Sequence, residues 1–239
     1  MSVGIILKFV DSQFTESTLD GELFFCRSGY FIDLEKKENN KGIGDSREGS
    51  WSDKMGDNSM ILIETENGEK IPPLMVSSGA FFRSYEGIRG IPICCFVYLT
   101  MENDFYEENG FRKIKPEIVD ELEKQFGDKD VIFINPSQFA ERLDKAIKDA
   151  GFSMKRGLVH YYDERKEPHP LALEDYEKDP ADALFYKRKS FEFQKEFRVV
   201  LKSIEENDVF INLGDIRDIA RKIDKDKIST LRMKKVNYE

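Results

Sequence analysis

The sequence predicts a single α+β domain built on a strand-rich mixed sheet with peripheral helices. The chain has 239 residues, a length that fits one large domain better than two small ones. Short apolar or alternating segments, typical of strands, outnumber the segments with helical periodicity. The helical segments do not alternate regularly with the strands, which argues against a doubly wound parallel sheet. The sequence has no internal repeat and no obvious linker, so we expect one domain over 1–239.

Strands are predicted where apolar residues alternate or run continuously between turn-forming residues. The predicted strands are 3–10, 22–26, 60–63, 70–76, 91–99, 131–134, 157–162, 191–201 and 209–213. Between the third and fourth of these, the Asn67-Gly68 pair predicts a hairpin turn. The run over 91–99 is almost continuously apolar, which is typical of a strand buried on both faces.

The clearest predicted helix follows Asn135, which has the character of a capping residue. Pro136 occupies the first helical position and Gln138 lies three residues after the cap. Apolar residues at helical spacing form one face, and Gly151 ends the helix. Those apolar residues are Phe139, Leu143, Ala146 and Ile147. Less regular patterns predict helices at 13–19, 116–126, 179–189 and 215–223.

A polar segment over 36–58 contains several glycines and almost no aliphatic residues, and it predicts a long, mobile surface loop. The glycines within 43–49 suit either a backbone that approaches a ligand or an ordinary turn. Asp45 and Glu48 accordingly either line a site or bind Arg47 locally. The segment has neither the spacing of a phosphate-binding P-loop nor that of a dinucleotide-binding glycine motif.

Charge and cysteine content narrow the class of protein. The formal net charge of −9 argues against a general nucleic-acid binder, because an acidic chain repels phosphate backbones. The three cysteines lack framework spacing, which predicts reduced thiols and a cytoplasmic location. His160 and His169 lack metal-ligand spacing with a cysteine, so no zinc site is expected. The first ten residues have neither the basic leader of a signal peptide nor the length of a membrane span, so no membrane association is expected.

Four hydrogen-bonding side chains share one face of the predicted strand 191–201. These are Glu192, Gln194, Glu196 and Arg198, since side chains alternate along a strand. Such a row forms either a solvated outer face or the wall of a polar cleft, and the pattern leaves both open. Within it, Gln194 and Glu196 point into the same space, where a carboxylate can stabilise positive charge developing on a sugar.

Ordered blocks of the sequence resemble a family of uncharacterised bacterial and prophage proteins. The blocks are GELFFCRSGYFIDLE, GIGDSREGS, PICCFVYL, FGDKDVIFINPSQFAERLDKAI, FQKEFRVVL and INLGDIRDI, which together span about 21–219. The late Gln-x-Glu and the order of strands also resemble ADP-ribosyltransferases, at the level of the fold. The resemblance implies an ADP-ribosyltransferase-like fold and NAD as a substrate.

By this resemblance, Glu196 is the catalytic glutamate and Gln194 orients the acceptor. Arg27, at the end of an early strand, is implied to hold the NAD diphosphate, because a guanidinium suits phosphate oxygens. Tyr30 is implied to stack on nicotinamide or adenine, with Phe31 as a second aromatic candidate.

The hydroxyl positions are implied at Ser77 and Ser78, after the strand that ends at Val76. Tyr98 and Thr100 compete for the same role. The chain departs from the pattern of arginine-serine-glutamate transferases here, because it has no aromatic-Ser-Thr-Ser segment.

The resulting hypothesis is transfer of ADP-ribose from NAD to a macromolecular acceptor, protein or nucleic acid, as a toxin or phage-defence effector. An antitoxin or a phage protein is the expected partner. The alternative is a non-catalytic binding module of bacterial or phage origin, with the polar strand face merely solvated. A nuclease ranks last, because the sequence lacks clustered metal-binding carboxylates.

Overall fold

A computed structural model describes residues 3–38, 44–56, 59–77 and 79–234 of the chain. It has a strand-rich, mixed α+β architecture, as the sequence predicts. Within the described residues, no helix combines the length and the apolar character that crossing a membrane requires.

The strands, in chain order, are β1 (Gly4–Val10), β2 (Glu22–Arg27), β3 (Ser50–Met55), β4 (Ser59–Glu64), β5 (Lys70–Val76), β6 (Gly79–Ser84), β7 (Pro92–Thr100), β8 (Phe105–Glu108), β9 (Phe111–Ile114), β10 (Asp130–Ile134), β11 (Met154–Leu158), β12 (His160–Tyr162), β13 (Tyr186–Arg188), β14 (Glu196–Leu201), β15 (Val209–Asn212), β16 (Ala220–Ile223) and β17 (Arg232–Met233). The α-helices are α1 (Thr15–Leu19), α2 (Ser28–Glu38), α3 (Pro116–Phe126), α4 (Pro136–Asp149) and α5 (Leu173–Lys178). Short 3₁₀ helices cover Ser12–Phe14, Glu86–Gly90, Pro180–Phe185, Lys189–Gln194 and Lys225–Thr230.

The main sheet is organised around β7, in the order β11-β14-β7-β1-β10-β16. All of these neighbours are antiparallel. One edge of β7 pairs with β14. The other edge is shared, because β1 pairs with it at 97–100 whereas β2 pairs with it at Pro92 and Ile93. The sheet therefore forks along 94–96, between β1 and β2.

The two faces of the sheet have different cores. On one face, Phe197, Val199 and Leu201 of β14 pack with Phe139 and Leu143 of α4 in a large apolar cluster. On the other face, two smaller clusters lie at opposite ends of β7, one around Val97 and Leu99 and one around Ile93 and Val200. The charged residues of β14 lie between these smaller clusters.

Helix α4 confirms the clearest helix prediction. Asn135 caps it by accepting a hydrogen bond from the backbone N–H of Ser137 at 3.2 Å. Phe139, Leu143 and Ile147 form its buried face. Local capping and apolar periodicity act together here, so the sequence pattern is sufficient to predict the helix.

The predictions for 36–58 and for 215–223 are wrong over part of their length. The predicted loop 36–58 contains β3, which pairs with β6 and buries Trp51, whose indole N–H donates to the carbonyl of Leu171 at 2.8 Å. The predicted helix 215–223 includes β16, which pairs with β10 and ends the main sheet. In both segments, tertiary pairing outweighs the local composition.

The predicted strand 191–201 is also wrong over its first half. Residues Lys189–Gln194 form a 3₁₀ helix, and Lys195 is left-handed with a φ of 45°. Strand β14 begins only at Glu196, and all six of its residues are buried. Alternation therefore holds from Glu196 onward and does not extend back to Gln194.

Candidate functional site

The candidate site is a group of buried polar residues on the β14 face of the sheet, which we name the charged cluster. It comprises Glu48, Lys187, Gln194, Glu196 and Arg198, whose exposed fractions are 1%, 2%, 4%, 8% and 1%. Pairing of β14 with β7 places Glu196 opposite Val97 and Arg198 opposite Cys95. Three residues of the predicted polar row, Gln194, Glu196 and Arg198, therefore lie in the wall of a cleft, whereas the fourth, Glu192, is exposed to solvent.

Glu196 is held by two cations. Its Oε1 accepts from the ammonium of Lys187 at 2.9 Å, and its Oε2 accepts from Nε of Arg198. Burial alone would raise the pKa of Glu196, but the adjacent positive charges of Arg198 and Lys187 lower it to about 2. The carboxyl is therefore ionised at neutral pH.

Gln194 also lies beside Glu196, but it does not belong to the strand that the sequence predicts. Its Oε1 accepts from the Lys187 ammonium at 2.7 Å, although Gln194 lies in a 3₁₀ helix and Glu196 in a strand. The left-handed Lys195 turns the chain between them, and its ammonium pairs with Asp104 at 2.8 Å. The expected convergence of Gln194 and Glu196 is present, but their shared strand is not.

Arg198 connects β14 to the turn at 44–49. Both of its terminal nitrogens donate to the carboxylate of Glu48, and one also donates to the carbonyl of Leu184. In the same turn, Asp45 accepts from Arg188 at 2.7 Å and from the backbone N–H of Arg47 at 3.0 Å. The acidic residues of this glycine-flanked segment are thus buried partners of distant arginines. Arg47 itself pairs with Glu164.

A cavity of about 190 Å³ adjoins the charged cluster. Its wall contains Lys187, Gln194, Glu196 and Arg198 together with Lys8, Cys95 and the apolar side chains of Phe9, Phe31, Phe96, Val97 and Phe126. Phe9 and Phe126 stack with ring centroids 4.5 Å apart. The cavity therefore combines an anionic carboxylate with flat aromatic walls, a combination suited to a polar ring compound.

Lys8 lies in the fork of the sheet. Its ammonium donates to the carbonyl of Cys95 at 2.8 Å and lies 4.8 Å from the ring centroid of Phe96. Lys8 and Phe9 also line a second cavity of about 320 Å³, with Phe14, Phe24 and Phe210 among its other walls. The two cavities therefore share a wall, which Lys8 and Phe9 form at the fork.

Cys95 lines the first cavity but is not suited to nucleophilic attack. Burial raises the pKa of its thiol to about 12, with a further contribution from the negative charge of Glu196. The thiol is neutral at physiological pH, and the neutral form is a poor nucleophile.

The structure does not bring Arg27 to this cavity. Arg27 pairs with Pro92 and Glu196 with Val97 on the opposite edge of β7, so five residues of that strand, about 17 Å, separate them. The side chain of Arg27 is 42% exposed and pairs with Asp208 at 3.5 Å.

The other predicted contacts are also dispersed. Tyr30 is 56% exposed and packs edge-on against Phe31, which does line the cavity. Ser77 is exposed after β5, and Ser78 lies outside the described residues. Tyr98 belongs to the core on the opposite face, and the hydroxyl of Thr100 donates to Asp104.

Lys187, Lys8 and Phe126 are site residues that the sequence analysis missed. Lys187 gives no sequence signal, because its role depends on pairing of the short strands β12 and β13. Glu48 lies in the glycine-flanked segment that the sequence singles out, but its carboxylate pairs with Arg198 and not with the neighbouring Arg47. Within the described residues, no group of three or more histidine, cysteine or acidic side chains is arranged to hold a metal ion.

Comparison with known proteins gives no match to a family model, to a curated protein or to a solved structure.

Proposed function

We propose that the chain is an ADP-ribosyltransferase-like enzyme that cleaves NAD and transfers ADP-ribose to a macromolecular acceptor. One observation carries the proposal: Gln194 and Glu196 accept hydrogen bonds from the same ammonium at the wall of an aromatic-lined cavity. In this proposal Glu196 stabilises the sugar cation and Gln194 orients the acceptor.

The ionisation of Glu196 supports this role. Its pKa of about 2 keeps the carboxylate charged at any physiological pH. A carboxylate has about four acceptor positions, and the two cationic donors leave room for a ribose hydroxyl. Negative charge fixed beside the reacting carbon lowers the energy of an oxocarbenium-like transition state.

The bond changes are those of a glycosyl transfer. The bond between the nicotinamide nitrogen and the ribose C1′ breaks, and its electron pair leaves with nicotinamide. A nucleophilic atom of the acceptor then bonds to C1′ and releases its proton to solvent. The step needs no oxidant or reductant.

In this proposal a dinucleotide spans both cavities beside the fork. The cavity beside Glu196, about 190 Å³, is small for a nucleotide, but it shares Lys8 and Phe9 with the cavity of about 320 Å³. We propose that the nicotinamide ribose occupies the smaller cavity and that Lys8 contacts a phosphate. Lys8 then replaces Arg27 as the candidate phosphate contact, because Arg27 lies away from both cavities.

A non-catalytic binding module is the second candidate, and one observation favours it. The charges of Glu48, Glu196, Lys187 and Arg198 sum to zero, and each group is paired within the cluster. Such a network also serves a purely structural role, holding the turn at 44–49 against β14.

Nicotinamide release from NAD separates the two candidates. We expect purified protein, supplied with a bacterial lysate as acceptor, to release nicotinamide, and Glu196→Gln to reduce the rate by about 100-fold or more. Glu192→Gln is the matched control, because Glu192 is exposed and pairs with the nearby Lys189 at 2.7 Å. Activity retained in a folded Glu196→Gln protein rules out this mechanism.

A second variant keeps the test informative if Glu196→Gln fails to fold. Gln194→Ala removes no charge, and we expect it to lower transfer to acceptors more than hydrolysis of NAD by water. Equal losses of both reactions contradict the proposed role of Gln194. No nicotinamide release from the wild-type protein, together with no heat of NAD binding in calorimetry, favours the binding module.

The resemblance to bacterial and prophage proteins supports a cytoplasmic toxin or phage-defence effector, with an antitoxin or phage protein as partner. We expect expression of the wild-type chain to slow bacterial growth and the Glu196→Gln variant to be harmless. Equal growth of the two strains at matched protein levels contradicts a toxin that acts through this site.

A further inference from the structure

The hairpin of β4 and β5 exposes many large apolar side chains. Six of them have exposed fractions between 40% and 77%, namely Met60, Leu62, Ile63, Ile71, Leu74 and Met75. Among the described residues, neither strand pairs with any strand other than its hairpin partner. A two-stranded hairpin is marginal in water by itself, and apolar patches of this kind mark interaction surfaces.

The two outer edges of this hairpin are not equivalent. Strand β5 contains Pro72 and Pro73, and the pairing register slips beside them, between the pairs that Ile61 and Ile63 of β4 make. Successive backbone N–H groups point to opposite edges of a strand, so two adjacent prolines remove donors from both edges of β5. Strand β4 has no proline, and its outer edge keeps every donor and acceptor. Proline commonly protects a strand against edge pairing, and of the two strands of this hairpin only β5 contains it.

We propose that β4 is the dimerisation strand of this protein and that it pairs antiparallel with β4 of a second copy. A two-fold axis perpendicular to the sheet then generates a four-stranded sheet with the two β5 strands outside. In this arrangement the backbone donors of each β4 edge pair with the acceptors of the other, because both copies present the same edge. The proposal is independent of the NAD chemistry.

The sequence of β4 fits a pairing centred on Leu62. This register places the two copies of Leu62, each 77% exposed in the single chain, opposite each other on the axis. Residues directly opposite in an antiparallel pair share a face, so each Glu64 lies opposite the other copy's Met60. Glu64 is the only charged residue of β4 and lies opposite Lys70 within its own hairpin, so no like charges meet.

Salt dependence distinguishes a second copy from a basic partner. Each chain carries a net charge of −9, so two copies repel each other at long range, and added salt screens that repulsion. We therefore expect the dimer to tighten as salt rises, whereas a complex with a basic protein would weaken.

Sedimentation equilibrium of the full chain, over a range of protein and salt concentrations, tests the proposal. We expect a reversible dimer in the wild-type protein and a dissociation constant raised by about tenfold or more in Leu62→Lys, because two ammonium groups then face each other. Leu74→Lys is the matched control, since Leu74 is also exposed but lies on the proline-containing strand. We expect it to dimerise like the wild type.

Crosslinking provides a second measurement that does not depend on the lysine variants. Leu62→Cys should form a disulfide-linked dimer under mild oxidation, because opposite positions across the axis lie within disulfide reach. Leu74→Cys should not. A protein that is monomeric at every concentration, or one in which the Leu62 and Leu74 variants behave alike, overturns the proposal.

Discussion

Arg198 and Glu48 form an ion pair in which both side chains are almost completely buried, at 2% and 1% exposure, although 150 residues separate them. Both terminal nitrogens of Arg198 contact the carboxylate, and its Nε contacts Glu196. The position of the proposed catalytic carboxylate therefore depends on a residue of the 44–49 turn.

We expect Glu48→Ala to destabilise the protein by about 3–5 kcal/mol, because the buried guanidinium loses one of its two carboxylate partners. Urea unfolding followed by circular dichroism measures the change. Glu177→Ala is the control, since Glu177 pairs with Arg83 at the surface and should contribute little. Similar midpoints for the two variants would mean that the pair does not hold the turn.

The depressed pKa of Glu196 predicts a loss of stability in acid. The carboxyl titrates at about 2 in the folded chain instead of at its ordinary value of 4.5. Its contribution is therefore complete above pH 4.5 and disappears as the pH falls toward 2, amounting to about 3 kcal/mol. The free energy of unfolding of the wild type should fall more steeply over this range than that of Glu196→Gln. Parallel pH profiles contradict the ion-pair geometry.

Local signals account for the parts of the fold that the sequence predicts correctly. Helix α4 has a cap, a proline and an apolar stripe, and β7 has an unbroken apolar run, so neither depends on distant residues for its identity. Strand β3 pairs with β6, and its Trp51 donates a hydrogen bond to the carbonyl of Leu171. Both partners are distant in the sequence, so the composition of the segment does not reveal them.

The site is predicted only in part for a related reason. Glu196 and Gln194 stand out by their spacing, and their convergence is real. Lys187, which joins them, is one of many lysines in the sequence, and only the folded chain brings its ammonium to Gln194 and Glu196. The predicted strand begins five residues too early, at 191 instead of Glu196, because nothing in the sequence marks Lys195 as left-handed.

Gly21 provides a test of the backbone beside the fork. Its φ is +93°, and a Cβ there would lie 1.9 Å from the carbonyl oxygen of Gly214. We expect Gly21→Ala to destabilise the chain by more than about 2 kcal/mol, as backbone strain and a backbone clash add. Gly151→Ala is the control, because Gly151 has a similar φ of +81° but open space around it. Thermal unfolding of both variants should show the larger loss in Gly21→Ala, and equal losses would exclude the clash.

Lys8 is the residue that most directly tests how the fork would hold a dinucleotide. Its ammonium donates to the Cys95 carbonyl at 2.8 Å and to the Cys94 sulfur at 3.5 Å, and it lines both cavities, so one N–H remains for a phosphate. If the proposed function is correct, Lys8→Met should raise the KM for NAD by about tenfold with a smaller effect on kcat, because the lost contact is one of binding. Lys8→Arg should restore much of the affinity, since it keeps the charge. The matched control is Lys222→Met, which removes a lysine that pairs with Asp130 and lines neither cavity. An unchanged KM in Lys8→Met, with the fold intact by circular dichroism, would mean that Lys8 does not contact the phosphates. Arg27 would then again be the candidate for that contact.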